Sequence, residues 1–381
     1  MGFLDRLLRR ENRAAERFTH GGPVPEWLGL RSATGATINE MTAENLATVS
    51  ACVGAIGSAI GSLPALVYRP VGGGRKELTG HPVNRLIRAP WGLLTWPDWI
   101  EWVMGQVLLH GNALCEIKSD GQGRITGLRP IAWKHVQPAV LPDGRQCFNV
   151  SMPGEERRRL FGDQVFFLKD RSDDGLVGRS RISRAPDVLG NAISLQRFAA
   201  FAWDNQARPS GVLEVDQPLQ VAQYESLKAK MRDYAGPENA SRVMILDNRV
   251  KWTSISVSPE DAEVLASRRF SVEELCRLFQ VPPPIVQDYT HNTFTNSQQA
   301  ALWFAGFSLT PWCRKIEAEF ARSVFLDDAA LEIDLSGLMR GDFPTRWAAW
   351  KIAVDTGVLT RDEIREIEGW GPRGDAGVPV G

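Results

Sequence analysis

Three carboxylates, Asp170, Asp173 and Asp174, stand close together and are the residues best placed to do chemistry. Acids that converge on two divalent ions could drive metal-dependent cleavage of nucleic acid. Yet Ser172-Asp173-Asp174-Gly175 is a turn composition, in which Asp and Ser bond their own backbone. No histidine and no distant acidic motif supports a site there. The structural reading outweighs the nuclease, which stays open as the enzymatic alternative. Gly72-Gly73-Gly74-Arg75-Lys76 lacks the spacing that wraps a phosphate, and no Ser or Thr follows the lysine. There is no nucleophile elbow and no His-Glu-x-x-His. Cys52, Cys115, Cys147, Cys276 and Cys313 are widely spaced and odd in number. That favours a reducing compartment over a disulfide framework or a zinc site. The five histidines are equally scattered. The sequence calls for no catalytic residue, no metal and no cofactor.

Charge narrows the partners. The 44 Lys and Arg nearly balance the 45 Asp and Glu, leaving a net charge of -1. A protein that grips DNA through phosphates carries a basic surplus; this one would guide DNA rather than hold it. Arg157-Arg158-Arg159 reads as the solvated edge of a strand. Thirteen tryptophans are many, and they suit both a large core and subunit contacts. Phe3, Leu4, Leu7 and Leu8 among arginines make an amphipathic peripheral arm without the apolar core of a signal peptide. Gly2 does not start a myristoylation motif, because position six is Arg6. Residues 45–68 carry no charge and are long enough to span a bilayer, which gives a membrane-attached alternative. Their large apolar residues, Val49, Val53, Ile56, Ile60 and Leu63, form one stripe, with Gly54, Gly57 and Gly61 opposite. A buried helix approached closely by another backbone fits that pattern better.

The elements follow from their punctuation. A helix capped by Thr42 stops before Pro64, and a strand at Leu66–Tyr68 turns at Gly72-Gly73-Gly74. A helix spans Trp96–His110, opened by a Thr95/Asp98 capping box and closed by Gly111-Asn112. Strands at Ala113–Lys118 and Arg124–Ile131 flank the hairpin signal Asp120-Gly121. Further strands are expected at Trp133–Val140, Arg145–Val150 and Val165–Leu168. Residues 182–207 read as one long helix with the seam Val188, Ala192, Leu195, Ala199 and Ala202. A small mixed unit follows: strand Gly211–Val215, helix Pro218–Tyr234, strands Arg242–Leu246 and Arg249–Ser256. Ser258-Pro259-Glu260-Asp261 opens a helix to Gln280, stopped by Pro282-Pro283-Pro284. The polar stretch Gln287–Asn296 precedes a helix from Ser297 to Phe325 that Pro311 should kink. A strand at Leu331–Leu335 and two short helices, after Asp342 and after a Thr360/Glu363 box, complete the chain. The class is α+β.

Several strings, in this order, resemble the portal proteins of long-tailed phages over roughly residues 40–370. They are Gly111-Asn112-Ala113, Asp174-Gly175-Leu176-Val177-Gly178-Arg179-Ser180 and Pro209-Ser210-Gly211-Val212-Leu213. Next come Val281-Pro282-Pro283 and Thr293-Phe294-Thr295-Asn296-Ser297-Gln298-Gln299, then Leu309-Thr310-Pro311 with Ile316-Glu317. Leu338-Met339-Arg340-Gly341-Asp342 and the run Gly357–Arg365 close the set. Three positions depart from the family: Arg181 where Pro is usual, Gln298 for Glu, and Asp362 for Asn.

The resemblance implies a ring-forming portal fold with a mixed α/β wing, two stem helices, a small α/β clip, a long kinked tunnel helix and a short helical crown. On this chain the N-terminal arm would be 1–39, the wing 40–181 and the first stem helix 182–209. The clip would be 210–257, the second stem helix 258–281, the tunnel loop 282–297 and the kinked tunnel helix 298–325. Residues 326–342 would return to the wing, and 343–381 would form crown and tail. It also implies a dodecamer at one capsid vertex that conducts double-stranded DNA. Its partners would be the terminase large subunit, a head–tail adaptor and the major capsid protein, with no membrane. Assembly would occur in the host cytoplasm, for a phage or a gene transfer particle. His291, Asn292, Thr293, Phe294, Thr295 and Asn296 would face the DNA. Polar, uncharged side chains there offer single hydrogen bonds to phosphate without ion pairing.

Overall fold

The computed structural model describes residues 17–18, 30–72, 74–204, 211–215, 220–221, 224–226, 250–254, 259–289, 294–336, 343–368 and 370–371. The chain divides into two compact units. The larger holds residues 50–181 and everything from Cys276 onward; the smaller holds Pro25–Val49 and Ile182–Leu275.

The larger unit is organised by helix Trp96–His110. Thr95 and Asp98 cap it reciprocally as expected, and Gly111, at φ 82°, ends it in the left-handed region. Its buried face, Trp99, Ile100, Val103, Met104, Val107 and Leu108, lies four and three residues apart along one side. That face meets an antiparallel sheet in the order Val165–Lys169, Asn112–Ser119, Ile125–Ile131. Trp99 meets Phe166 at 5.2 Å and Phe320 at 6.2 Å, and donates its indole N–H to the Leu128 carbonyl. Each such side chain removed from water stabilises by roughly 1.5–3 kcal/mol.

Helix Ala47–Gly61 packs on the same core. Val49, Cys52, Ile56 and Ile60 are fully buried; Cys52 takes the place expected for Val53, which is half-buried. A Cβ on Gly57 would stand 3.3 Å from the Glu101 backbone, and one on Gly61 3.1 Å from Pro97. The close approach expected of the small side occurs at these two glycines, while Gly54 faces open space. No helix among the described residues is long and apolar enough to cross a membrane.

A second sheet runs Arg17–Phe18, Val136–Val140, Gln146–Val150, Arg158–Phe161. Trp133–His135 is a 3-10 turn, not the start of the strand. It drops Trp133 into the core, stacked on Phe167 at 6.0 Å. Arg158 pairs with Glu116 at 2.8 Å and with Glu155, so this arginine run is edge structure. A third sheet places Ala65–Val71 between Gly74–Glu77 and Ala330–Ile333. Helices Phe343–Asp355 and Arg361–Ile367 end the described chain, the second opened by the expected Thr360/Glu363 box.

In the smaller unit the expected helix from Thr42 is broken. Glu40–Glu44 is a separate turn capped by Asn39, whose side chain accepts the Thr42 N–H at 2.8 Å. Thr42 is the third residue of that helix and returns its hydroxyl to the Asn39 N–H. The 182–207 helix is also two pieces, Arg181–Arg184 and Pro186–Asp204. Pro186 cannot donate to a preceding carbonyl, so it starts a helix rather than continuing one. Of the expected seam, Ala192 is buried and Val188 and Leu195 are half-buried, with Leu189 and Ile193 buried beside them; the side chains of Ala199 and Ala202 lie outside those described. Gly190 lets the Ser32 hydroxyl approach, and Asp187 accepts the Ala33 N–H at 2.7 Å. Strand Gly211–Val215 pairs antiparallel with Val250–Ser254. The Arg242–Leu246 strand and most of the Pro218–Tyr234 helix lie outside the described residues.

Candidate functional site

Helix Pro259–Phe279 leads into the segment of interest. It ends at Gln280, which takes φ 58°. The Gln280 and Val281 N–H groups bond back to the carbonyls of Arg277 and Cys276, and Val281 is buried. This is a double closure of the last turn around a left-handed residue. Pro283–Val286 forms a 3-10 turn that closes the same way around Gln287, at φ 65°. These two glutamines are the positive-φ non-glycine residues among those described. Both serve the corner that separates two long helices.

The next helix begins at Phe294, earlier than expected. Of the six residues assigned to DNA contact, Phe294, Thr295 and Asn296 therefore lie in a first helical turn, not a loop. His291, Asn292 and Thr293 lie outside the described residues. Gln298-Gln299-Ala300-Ala301-Leu302 are strong helix formers, and first-turn N–H groups need no intrahelical partner, so the helix extends back over polar residues at little cost.

The irregularity expected near Pro311 takes the form of a π turn just ahead of it. The chain runs as α-helix over Phe294–Trp303, as π-helix over Phe304–Leu309, and as α-helix again over Thr310–Ser323. Pro311 has no N–H to return to the preceding turn. Instead the Thr310 amide and hydroxyl both donate to Ala305, five residues back. The Ser308 hydroxyl donates to the Gln280 carbonyl, tying the π turn to the end of the preceding helix.

Thr310–Ser323 is fixed to the sheets. Glu317, buried, accepts the Ile333 N–H at 2.9 Å; Glu319 accepts the Phe167 N–H at 2.6 Å; Arg322 donates to the Gly162 and Val165 carbonyls, each at 2.8 Å. The stretch before it presents Leu302, Trp303 and Phe307 to solvent, 47%, 44% and 65% exposed, with the two rings 5.4 Å apart.

Arg181 meets this corner from another part of the chain. Its Nε lies 3.0 Å from Asp170, and its Nη1 donates to the Phe279 carbonyl at 2.6 Å and the Leu278 carbonyl at 3.4 Å. Its guanidinium lies 5.6 Å from the centre of the Trp312 ring, whose other cation is Lys315 at 4.7 Å. Sequence reasoning marked Arg181 only as a departure from the family.

Each acid of the trio has its own partner. Asp170 holds Arg181, and Asp173 lies 3.3 Å from Arg179. Asp174 accepts the Ser172 hydroxyl and the Leu176 and Val177 N–H groups. Burial pushes its carboxyl up, but those donors outweigh it and hold the group below the usual carboxylate value. The three acids point to separate partners, and no metal-holding group of three is found among the described residues. The loop they build is clamped by Asn112, whose side chain accepts the Gly178 N–H at 2.7 Å and donates to its carbonyl at 2.8 Å. A Cβ on Gly178 would lie 2.1 Å from the Gly111 carbonyl. The strings Gly111-Asn112 and Asp174–Gly178 are thus two sides of one contact.

Solved structures share this architecture. A chain from the virion of a native gene transfer agent particle matches with a TM-score of 0.66 at 22% identity, covering 97% of this chain and 100% of that one. A chain from the neck of the native particle, computed with C12 symmetry, matches with a TM-score of 0.62 at 23% identity, over 84% and 89%. These likenesses define the fold. The family is defined by sequence: the phage portal protein model matches residues 47–369, and the chain belongs to that family. A chain of Streptomyces phage phiC31 described as "Probable portal protein" is 29% identical over 367 residues, 91% of this chain and 79% of that one.

Proposed function

We propose that twelve copies of this chain form a ring at one vertex of a phage or gene-transfer capsid, around the channel for DNA packaging and ejection. The family match over residues 47–369 carries this reading. The number twelve follows the C12 symmetry of the gene transfer agent neck. The exposed cluster Leu302, Trp303 and Phe307 supports it, because apolar side chains left uncovered on one chain are suited to burial between copies. In this reading residues 282–297 reach the DNA. Residues 210–257 dock the terminase large subunit and later the head–tail adaptor, and the wing meets the major capsid protein. The role is structural; ATP-driven work belongs to the terminase.

Mass photometry with negative-stain imaging tests the assembly. Rings with a central hole at about twelve subunit masses are the expected result. A chain that stays monomeric even when co-expressed with its capsid protein would overturn the reading. Deleting Thr293–Asn296 should then leave rings intact and lower genome retention; normal genome content in that mutant would remove the DNA-contact assignment.

A further inference from the structure

We propose that Arg181 is the positioning residue that sets the second long helix of the corner against the end of the first, a role resting on the portal reading. The chain leaves the larger unit immediately after Arg181 and re-enters it at Cys276. Arg181 bonds the carbonyls of Leu278 and Phe279, in the first turn after that return. One side chain therefore joins the point where the chain leaves the larger unit to the point where it returns.

The chemistry suits the task. The last carbonyls of a helix lack intrahelical donors and carry partial negative charge. A guanidinium serves them through one edge, the Asp170 carboxylate through another, and an indole through its face. All three directions are occupied: carbonyls, Asp170, and Trp312 in the first turn of Thr310–Ser323. Arg181 and Asp170 side chains are each only 11% exposed, so water does not compete freely. A second tether, Ser308 to the Gln280 carbonyl, joins the same helix end to the π turn. The helix end, the π turn and Trp312 are thus held as one joint. A proline at position 181 could make none of these bonds.

The test uses Arg181→Met and Arg181→Lys in the full-length protein, assembled into particles with its capsid partners. Hydrogen exchange by mass spectrometry reads segments 276–289 and 304–315, and genome content is measured per particle. Val103→Ala, in the core of helix Trp96–His110, is the stability-matched control. A charge-assisted bond contributes enough that exchange in both segments should rise together by on the order of tenfold or more. Filled particles should fall by about tenfold, the same free-energy scale, with Lys failing to restore either. Should Arg181→Met not assemble, Asp170→Asn keeps the arginine on the carbonyls and should give a smaller rise in the same two segments. Faster exchange confined to 276–289, or equal genome loss in Val103→Ala, would show a mere helix cap and overturn the proposal. Wild-type chains that form no rings would instead defeat the portal reading, and the exchange result would still judge the joint.

Discussion

The helical run from Phe294 to Ser323 has two halves of opposite character. Past the π turn, Thr310–Ser323 buries Trp312, Cys313, Ile316, Glu317 and Phe320 and spends its polar side chains on sheet backbone. Ahead of it, Leu302, Trp303 and Phe307 face water, and the Ser308 hydroxyl donates to the Gln280 carbonyl. The second half is completed by its own chain. The first leaves Leu302, Trp303 and Phe307 uncovered, while Phe304, Ala305 and Leu309 of its π turn are buried. A π turn beside a proline is where such a change of allegiance is cheap, because the regular ladder is already interrupted there.

The contrast is sharpest in stability. Phe320→Ala removes a ring that touches Trp96, Trp99 and Phe166, and should cost about 3–5 kcal/mol of the folding free energy in a chemical denaturation experiment. A loss below about 1 kcal/mol would mean that the second half is not part of the core. Glu317→Ala should come next. It strands the Ile333 N–H and releases Arg314, and a buried donor left unpaired costs about 1–3 kcal/mol. Hydrogen exchange at Ile333 should accelerate with it; an unchanged rate would show that the strand is held by its sheet partners alone.

What the sequence made legible divides along a related line. Thr95 with Asp98, Gly111, Asp120-Gly121 and Thr360 with Glu363 announce their elements because cap and turn are satisfied within a few residues. The break at Asn45 and the restart at Pro186 were missed because apolar periodicity ran through both. The sequence marks the interruption at Pro311 but not its form, a π turn over Phe304–Leu309 just before the proline. The role of Arg181 was invisible for a different reason: its carbonyl partners lie ninety-seven and ninety-eight positions away. The turn composition around Asp174 is legible in the same local way as the caps, since its carboxylate accepts the Leu176 and Val177 N–H groups.

The smallest effect on the isolated chain should come from Phe307→Ala. The ring is 65% exposed and its described neighbour is Trp303, so little burial is lost and stability should move by no more than about 0.5 kcal/mol. The same substitution should matter once copies assemble. If neighbours cover Leu302, Trp303 and Phe307, an aromatic anchor is lost at every interface of the ring, and interface anchors cost about 2 kcal/mol or more when truncated. Rings of the variant should therefore dissociate at lower denaturant than wild type while the monomer melts alike. If both unfold at unchanged denaturant, the exposed aromatics face the channel or solvent rather than a neighbour. The ring contact must then be sought elsewhere on the chain.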